Sequence, residues 1–140
     1  MPAHDTFPYP VPEYGTEPYW EAANRGELRM QRCLACGRYR WHPAPLCLDC
    51  QSADCEWALL SGRGRIHTWT EITHPVHPAA HARVPYLIVE IELAEQSGLT
   101  MISNLIDATA AEIAIGASVA VAFARHLNGQ QLPVFRLSPC

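Results

Sequence analysis

The chain contains no lysine, so all ten of its basic residues are arginine. That absence excludes Schiff-base catalysis, covalent pyridoxal phosphate and a Walker-type phosphate loop, each of which needs the ε-amine. Nor is there an apolar run near the roughly 20 residues that span a bilayer. The first residues, Met1-Pro2-Ala3-His4-Asp5, carry no basic patch leading into an apolar stretch, so no secretory signal is expected. Charge is sparse, at 17% of residues with a formal net of −4. With 49% hydrophobic residues, this is the composition of a globular protein rather than a disordered tail. A length of 140 residues suffices for one domain, or for a small module joined to a second. Six cysteines without an export signal point to a reducing compartment, the cytoplasm, where metal ligation is expected over disulfides.

Composition divides the chain into three parts: an N-terminal arm and helix (1–27), a cysteine-bearing ribbon (28–58) and a strand-rich remainder (59–140). The arm holds Pro2, Pro8, Pro10 and Pro12, with Phe7, Tyr9 and Tyr14 among them. Proline fixes an extended backbone and removes donors, so the arm is neither helix nor inner strand and must lie on its own domain or on a partner. Thr16 reads as an N-cap, Pro18 falls in the first turn, and Gly26 closes a short amphipathic helix. Beyond residue 59 the apolar period of two marks strands at 65–72, 86–93, 99–106, 115–124 and 132–137. Within the first of these, Ile66, Thr68, Thr70 and Ile72 alternate with His67, Trp69 and Glu71. Residues 108–113 read as a helix before the fourth strand. The fold class is mainly β with a short N-terminal helix: a rubredoxin-like zinc ribbon followed by a five-stranded OB-fold barrel.

Cys33-Leu34-Ala35-Cys36 and Cys47-Leu48-Asp49-Cys50 form two C-x2-C pairs separated by ten residues. Each pair lets two sulfurs converge from one tight turn, and Gly37 suits the positive φ that such a turn needs. Four thiolates in tetrahedral array are the ligand set of a structural Zn²⁺, one per chain, with no coordination position left for chemistry. Rubredoxin-like iron shares this logic, although Gln51 rather than glycine follows Cys50, and a disulfide framework conflicts with the missing export signal. Cys55 reads as the start of a strand, and Cys140 as a free thiol. Between the knuckles, Tyr39, Trp41, Pro43 and Pro45 give an aromatic hairpin that so small a ribbon cannot bury within itself.

Residues 25–65 carry a side-chain charge of +3, and the rest of the chain −7. A tetrathiolate zinc centre would lower the ribbon to about +1. A chain relying on phosphate-backbone contacts is usually basic overall, so nucleic acid is disfavoured, and a phosphate-bearing small molecule or an acidic partner surface fits better. Catalytic equipment is missing. Pro75 and Pro78 keep His74, His77 and His81 off a common helix face, no G-x-S-x-G occurs, and Glu90 and Glu92 read as solvent-facing strand residues. No independent active site assembles from these residues.

The series Pro18-Tyr19-Trp20-Glu21, Gly26-Glu27-Leu28, Gln31-Arg32-Cys33, Cys36-Gly37, Cys47-Leu48-Asp49-Cys50, Gly62-Arg63-Gly64, Trp69-Thr70, Pro85-Tyr86, Val89-Glu90 and Pro133-Val134-Phe135 runs through the chain in that order. It resembles the zinc-ribbon/OB-fold family catalogued as domain of unknown function thirty-five, from about residue 8 to residue 137. The resemblance implies a non-catalytic accessory subunit of a thiolase-type acyl-CoA acyltransferase or thiolase-like aldolase, stabilising the partner and assisting acyl-CoA binding. Other members of that family act beside hydratase-like subunits. Tyr19, Trp20, Arg38, Tyr39, Arg40 and Trp41 would then meet the catalytic chain or CoA, because aromatic and arginine side chains dominate interfaces and arginine suits phosphate. Where the family often carries Glu-Gly in the second barrel hairpin, this chain has Glu95-Gln96-Ser97-Gly98. Two other classes stay open. One is a single-stranded nucleic-acid module with Trp69 as a stacking platform; the other is a rubredoxin-like electron carrier.

Overall fold

The computed structural model describes residues 8–139, so Pro2 and Phe7 of the arm and the thiol of Cys140 lie outside the described residues. Helix α1 (Glu17–Asn24) begins as the capping residues predict. Thr16 does not cap with its side chain, however. Its hydroxyl donates to the Glu13 carbonyl at 2.7 Å and accepts from the Glu13 N–H at 2.9 Å, which ties the arm to the helix start. At the other end Gly26 takes φ +75°, and the N–H groups of Gly26 and Glu27 donate to the carbonyls of Ala23 and Ala22. This left-handed reversal aims the chain into the first strand.

That strand, β1 (Arg29–Cys33), is the middle of an antiparallel three-stranded sheet. β2 (Tyr39–Arg40) pairs along one edge and β3 (Cys55–Leu59) along the other, with Cys33 opposite Cys55. Five further strands close a barrel: β4 (Arg63–Ile72), β5 (Tyr86–Leu93), β6 (Thr100–Leu105), β7 (Ser118–Arg125) and β8 (Gln131–Leu137). Their order around it is β4-β5-β6-β8-β7, with β6 and β8 parallel. This is the five-stranded OB arrangement that the sequence pattern predicts. Gly64 lets β4 cross β5 closely, since a Cβ there would sit 2.6 Å from the Glu92 carbonyl oxygen.

Leu87, Val89, Ile91 and Leu93 fill the barrel from β5, with Ile66, Met101, Leu105, Val119 and Phe135 around them. Tyr19, Leu28, Met30 and Leu60 belong to the same buried cluster. Helix, ribbon and barrel therefore share one apolar core.

Three strand-level expectations change. The β4–β5 register shifts between Ile66 and Thr68, a bulge at His67. A bulge turns every later side chain to the opposite face. Thr68 and Thr70 consequently face solvent, and Trp69 packs against the core. Residues 108–113 form one 3-10 turn (Ala110–Glu112) rather than a longer helix: Thr109 and Glu112 cap its start, and Ile113 is already extended at φ −88°, ψ 132°. The fourth barrel strand starts at Ser118, after Gly116 at φ +85°, and leaves Ile115 exposed.

Candidate metal centre

The two C-x2-C turns have one backbone design. In the first, the Gly37 N–H donates to the Cys33 carbonyl at 2.9 Å, and Cys33 N–H to the Arg38 carbonyl at 2.9 Å. In the second, Gln51 N–H donates to Cys47 at 2.8 Å, and Cys47 N–H to Ser52 at 2.9 Å. The residue after each second cysteine is left-handed, Gly37 at φ +77° and Gln51 at φ +62°. Glycine meets that demand freely, whereas glutamine meets it at a cost.

These turns converge four sulfurs. The Sγ atoms of Cys33, Cys36, Cys47 and Cys50 all lie within 4.8 Å of one another. Cys33 and Cys50 are 3.5 Å apart, and Cys36 and Cys47 are 3.6 Å apart. A disulfide would need about 2.05 Å. Tetrahedral ligation with metal–sulfur bonds of about 2.3 Å places sulfurs about 3.8 Å apart, so the spacing fits a bound metal.

Backbone dipoles prepare the site. N–H groups of Cys36 and then Ala35 point at the Cys33 sulfur and lower its pKa to about 6. Those of Cys50 and Asp49 lower Cys47 in the same way. Ser52 N–H pulls Cys50 down as well, but the Cys33 sulfur beside it and burial outweigh this and push it up to about 12. Cys36 is likewise raised: the Arg38 N–H is outweighed by burial and by its sulfur neighbours. Four adjacent thiolates repel one another, and a divalent cation at their centre lets all four ionise. With four protein sulfurs around it, such a cation has no open position for substrate. Cys55, half-buried in β3, is outside the cluster.

Of the six residues expected as partner or CoA contacts, Tyr19 is buried, and the other five border two crevices that meet at Trp41. Tyr19 is only 4% exposed, and its ring centroid lies 4.4 Å from that of Trp41 and 4.9 Å from that of Trp20. Burial raises its phenol well above the ordinary range, so it supports the surface from beneath. Trp20 and Trp41 line a crevice against Glu90, Met101 and Ile102 of the barrel. Arg38, Tyr39, Arg40 and Trp41 line a second, shallow groove of about 260 Å³ with Gln96 and Thr100. Arg38 pairs with Asp49. Arg40 is a brace: it donates to the buried Gln31 side chain at 2.6 Å and to the Ala44 carbonyl at 2.8 Å.

The sequence does not single out Gln96 beyond its place in the Glu95-Gln96-Ser97-Gly98 turn. Its side chain exchanges two hydrogen bonds with the backbone of Tyr39 and so fastens the ribbon to the β5–β6 turn. Glu95 next to it accepts from the Ser61 N–H at 2.6 Å, at the join of ribbon and barrel. Both look like ordinary turn residues in the sequence, and only their departure from Glu-Gly marks them.

Among the described residues, the four cysteines are the one place where three or more metal-type ligands converge, so the histidines of 74–81 form no such group. Glu92 turns toward the Gly98 N–H rather than joining Glu90 as a pair. The β5–β6 face, which OB folds use for oligonucleotides, is partly covered here by Trp20, Trp41 and His42. Trp69, the candidate platform, packs on the core. No helix among the described residues is long and apolar enough to cross a membrane.

Comparison with known proteins places both modules. Residues 20–56 match the family model for the ChsH2 rubredoxin-like zinc ribbon domain, and residues 57–124 that for the ChsH2 C-terminal OB-fold domain. The chain is 34% identical over 118 residues to a probable enoyl-CoA hydratase alpha subunit of Thermomonospora curvata, covering 84% of this chain and 36% of that protein. It thus spans about a third of the hydratase subunit's length. It is 30% identical over 100 residues to a DUF35 domain-containing scaffold protein of Methanothermobacter thermautotrophicus, covering 71% and 73% of the two chains. A chain of the solved Ltp2-ChsH2(DUF35) aldolase superposes with a TM-score of 0.82 at 32% identity, over 92% of this chain and 98% of that one.

Proposed function

We propose, from the fact that this chain belongs to the DUF35 family of zinc-ribbon and OB-fold proteins, that it is a non-catalytic accessory subunit of a thiolase-type acyltransferase or thiolase-like aldolase acting on acyl-CoA. It stabilises the catalytic partner and assists acyl-CoA binding, in the cytoplasm. The metal is Zn²⁺, one per chain, and its role is to hold the ribbon. The observation that carries this reading is the closed four-sulfur site on a core shared by helix, ribbon and barrel. Such a body offers shape without reactive groups. The likeness to chains of a DUF35 aldolase and of a CoA hydratase subunit supplies the partner class.

Three parts divide the work: the arm and helix (1–27) and the ribbon (28–58) carry the docking residues, and the barrel (59–140) supports them. Trp20, Tyr39 and Trp41, with Arg38 and Arg40 beside them, form the contact surface, and Tyr19 sets the tilt of the two tryptophans from below. Large rings and guanidinium groups are the usual anchors of an interface.

Reconstitution tests the reading. The zinc-loaded chain alone should show no acyltransfer, retro-aldol or hydration turnover. Turnover should appear when a thiolase-like catalytic chain from the same source is added, with both proteins co-eluting. Turnover by this chain alone, or full activity of the partner without it, defeats the proposal. Elemental analysis separates zinc from the iron of an electron carrier, since a zinc centre is colourless and redox-silent.

A further inference from the structure

Alternation along β5 places Glu90 and Glu92 on the outer face of the barrel, yet their surroundings differ. Glu92 stands opposite Arg65 in the β4–β5 ladder and accepts from the Gly98 N–H at 3.1 Å. Glu90 stands between Thr68 of β4 and Ile102 of β6, neither of which carries a charge. It is half-buried, and among the described residues its carboxylate has neither an ion pair nor a hydrogen bond. Taking a carboxylate partly out of water without a counter-charge is unfavourable. The chain alone leaves this position incomplete.

The neighbours of Glu90 identify the missing charge. It borders a crevice of about 360 Å³ walled by Trp20 of helix α1, by Trp41 and His42 of the ribbon, and by Ile102. His42 stacks on Trp41, with ring centroids 4.7 Å apart, and makes no ion pair with Glu90. No arginine of the chain lines the crevice. Ile102 is 73% exposed, so an apolar rim continues outward from the rings. Aromatic walls keep water away, which strengthens any ion pair made inside them. A guanidinium suits such a place: it is planar and weakly hydrated, it packs on aromatic rings, and it pairs with a carboxylate through two hydrogen bonds. An ammonium is more strongly hydrated and has no flat face to lay on a ring. Phosphate is repelled by Glu90, so the rings are no platform for nucleobases.

We infer that this crevice receives an arginine side chain of the catalytic partner, with Glu90 as its counter-charge. The inference rests on the accessory-subunit reading, since Trp20 and Trp41 belong to the contact surface proposed there. A free guanidinium compound gains one ion pair in a crevice open on one side. Its lost freedom offsets most of that gain, so it binds only in the millimolar range. An arginine carried on a protein arrives with atoms that cover Ile102 and the rim of the rings. Contacts that exclude water around a central charge pair are what make such a pair strong.

The test uses the full zinc-loaded chain. Nα-acetyl-arginine amide should shift the indole N–H resonances of Trp20 and Trp41 in NMR spectra, with millimolar affinity. The matching lysine amide should bind about threefold more weakly, and Glu90→Gln should weaken the arginine amide about tenfold. Glu71→Gln alters an exposed carboxylate outside the crevice. It changes net charge equally and should leave that affinity within twofold. With a thiolase-like catalytic chain from the same source, Glu90→Gln should weaken association about thirtyfold, and Glu71→Gln less than twofold. Phenylglyoxal, which modifies arginine, should spare one partner arginine in the wild-type complex and reach it in the Glu90→Gln complex. Zinc content and thermal midpoint establish that each variant is folded. Unshifted indoles, equal affinity for the lysine amide, or wild-type affinity of Glu90→Gln for the amide or the partner overturns the inference. Self-association of the chain that depends on Glu90 also overturns it, since a second copy would then be the occupant. Failure here is separable from failure of the proposed function. A Glu90→Gln chain that still joins and activates the partner fully loses only the crevice. A chain that binds the arginine amide at Glu90 but neither joins nor activates a thiolase-like chain loses the subunit role.

Discussion

The Gln96 side chain pairs with the backbone of Tyr39 as a strand would. Tyr39 N–H donates to Gln96 Oε1 at 2.9 Å, and Gln96 Nε2 donates to the Tyr39 carbonyl at 3.0 Å. Tyr39 begins the two-residue edge strand of the ribbon, which has no other strand on that side. One amide from the barrel therefore completes the hydrogen bonding of the ribbon's weakest strand.

Gln96→Leu should remove both bonds and leave a half-buried N–H and C=O without partners. A loss of about 2 kcal/mol is expected, from roughly 1 kcal/mol per bond. The thermal midpoint should drop by a few degrees. Hydrogen exchange should report faster opening at residues 38–41 and little change in β5. Gln96→Glu keeps an acceptor for Tyr39 N–H but sets an oxygen against its carbonyl, so it should destabilise as well.

Metal removal tests the ribbon directly. Structural zinc contributes roughly 10 kcal/mol or more to modules of this kind, as much as the whole stability of a typical domain. A chelator, or Cys36→Ser, should unfold residues 28–58. The shared core predicts a wider effect, because the Tyr19 and Trp41 rings are in contact across helix and ribbon. Tryptophan emission should shift to the red on metal loss, and zinc should restore it in the wild-type chain. A ribbon that keeps its exchange protection without metal contradicts this account.

Gln51 offers a stabilising change. It occupies the left-handed position that Gly37 fills in the twin knuckle. A non-glycine residue there costs on the order of 1–2 kcal/mol, and glycine returns part of that gain through its freer unfolded chain. Gln51→Gly should raise stability by about 1 kcal/mol at most, with zinc content unchanged. Differential scanning calorimetry of the metal-loaded protein checks the sign.

How far the sequence foretells this molecule depends on range. The cysteine turns are local, and four sulfurs at two fixed spacings leave one arrangement. The β5 alternation is equally plain, since Leu87, Val89, Ile91 and Leu93 obey period two without interruption. β4 misleads because a one-residue bulge at His67 inverts the pattern, and no residue type announces it. Tyr19 misleads for another reason: a tyrosine beside a tryptophan on a short helix looks like surface until Trp41 folds over it. Gln96 stays hidden because its partner is 57 residues away in the chain. Pairings of that separation are set by the shared core and leave no local mark.

Glu27 links the helix end to the sheet, and its charge should be measurable. Its Oε2 accepts from Arg29 Nε at 2.6 Å and from Arg25 Nη2 at 3.5 Å, while Arg29 Nη1 donates to the Trp57 carbonyl at 3.0 Å. The carboxylate thus steadies the arginine that clasps β3. The Arg29 hydrogen bond, more than the Coulombic pull of either arginine, holds the Glu27 carboxyl below its ordinary 4.5. A carboxyl with a depressed folded pKa stabilises the fold above its unfolded pKa. That contribution fades as pH falls through the folded value. The stabilisation is therefore fully present at neutral pH and lost only in acid. Carboxyl-carbon NMR titration should find Glu27 protonating below its ordinary 4.5. Arg29→Gln should return it toward 4.5, and Arg25→Gln should move it much less, since Arg25 sits farther away and is more exposed. An unshifted Glu27, or an Arg25 effect equal to that of Arg29, would show that the clasp does not persist in solution.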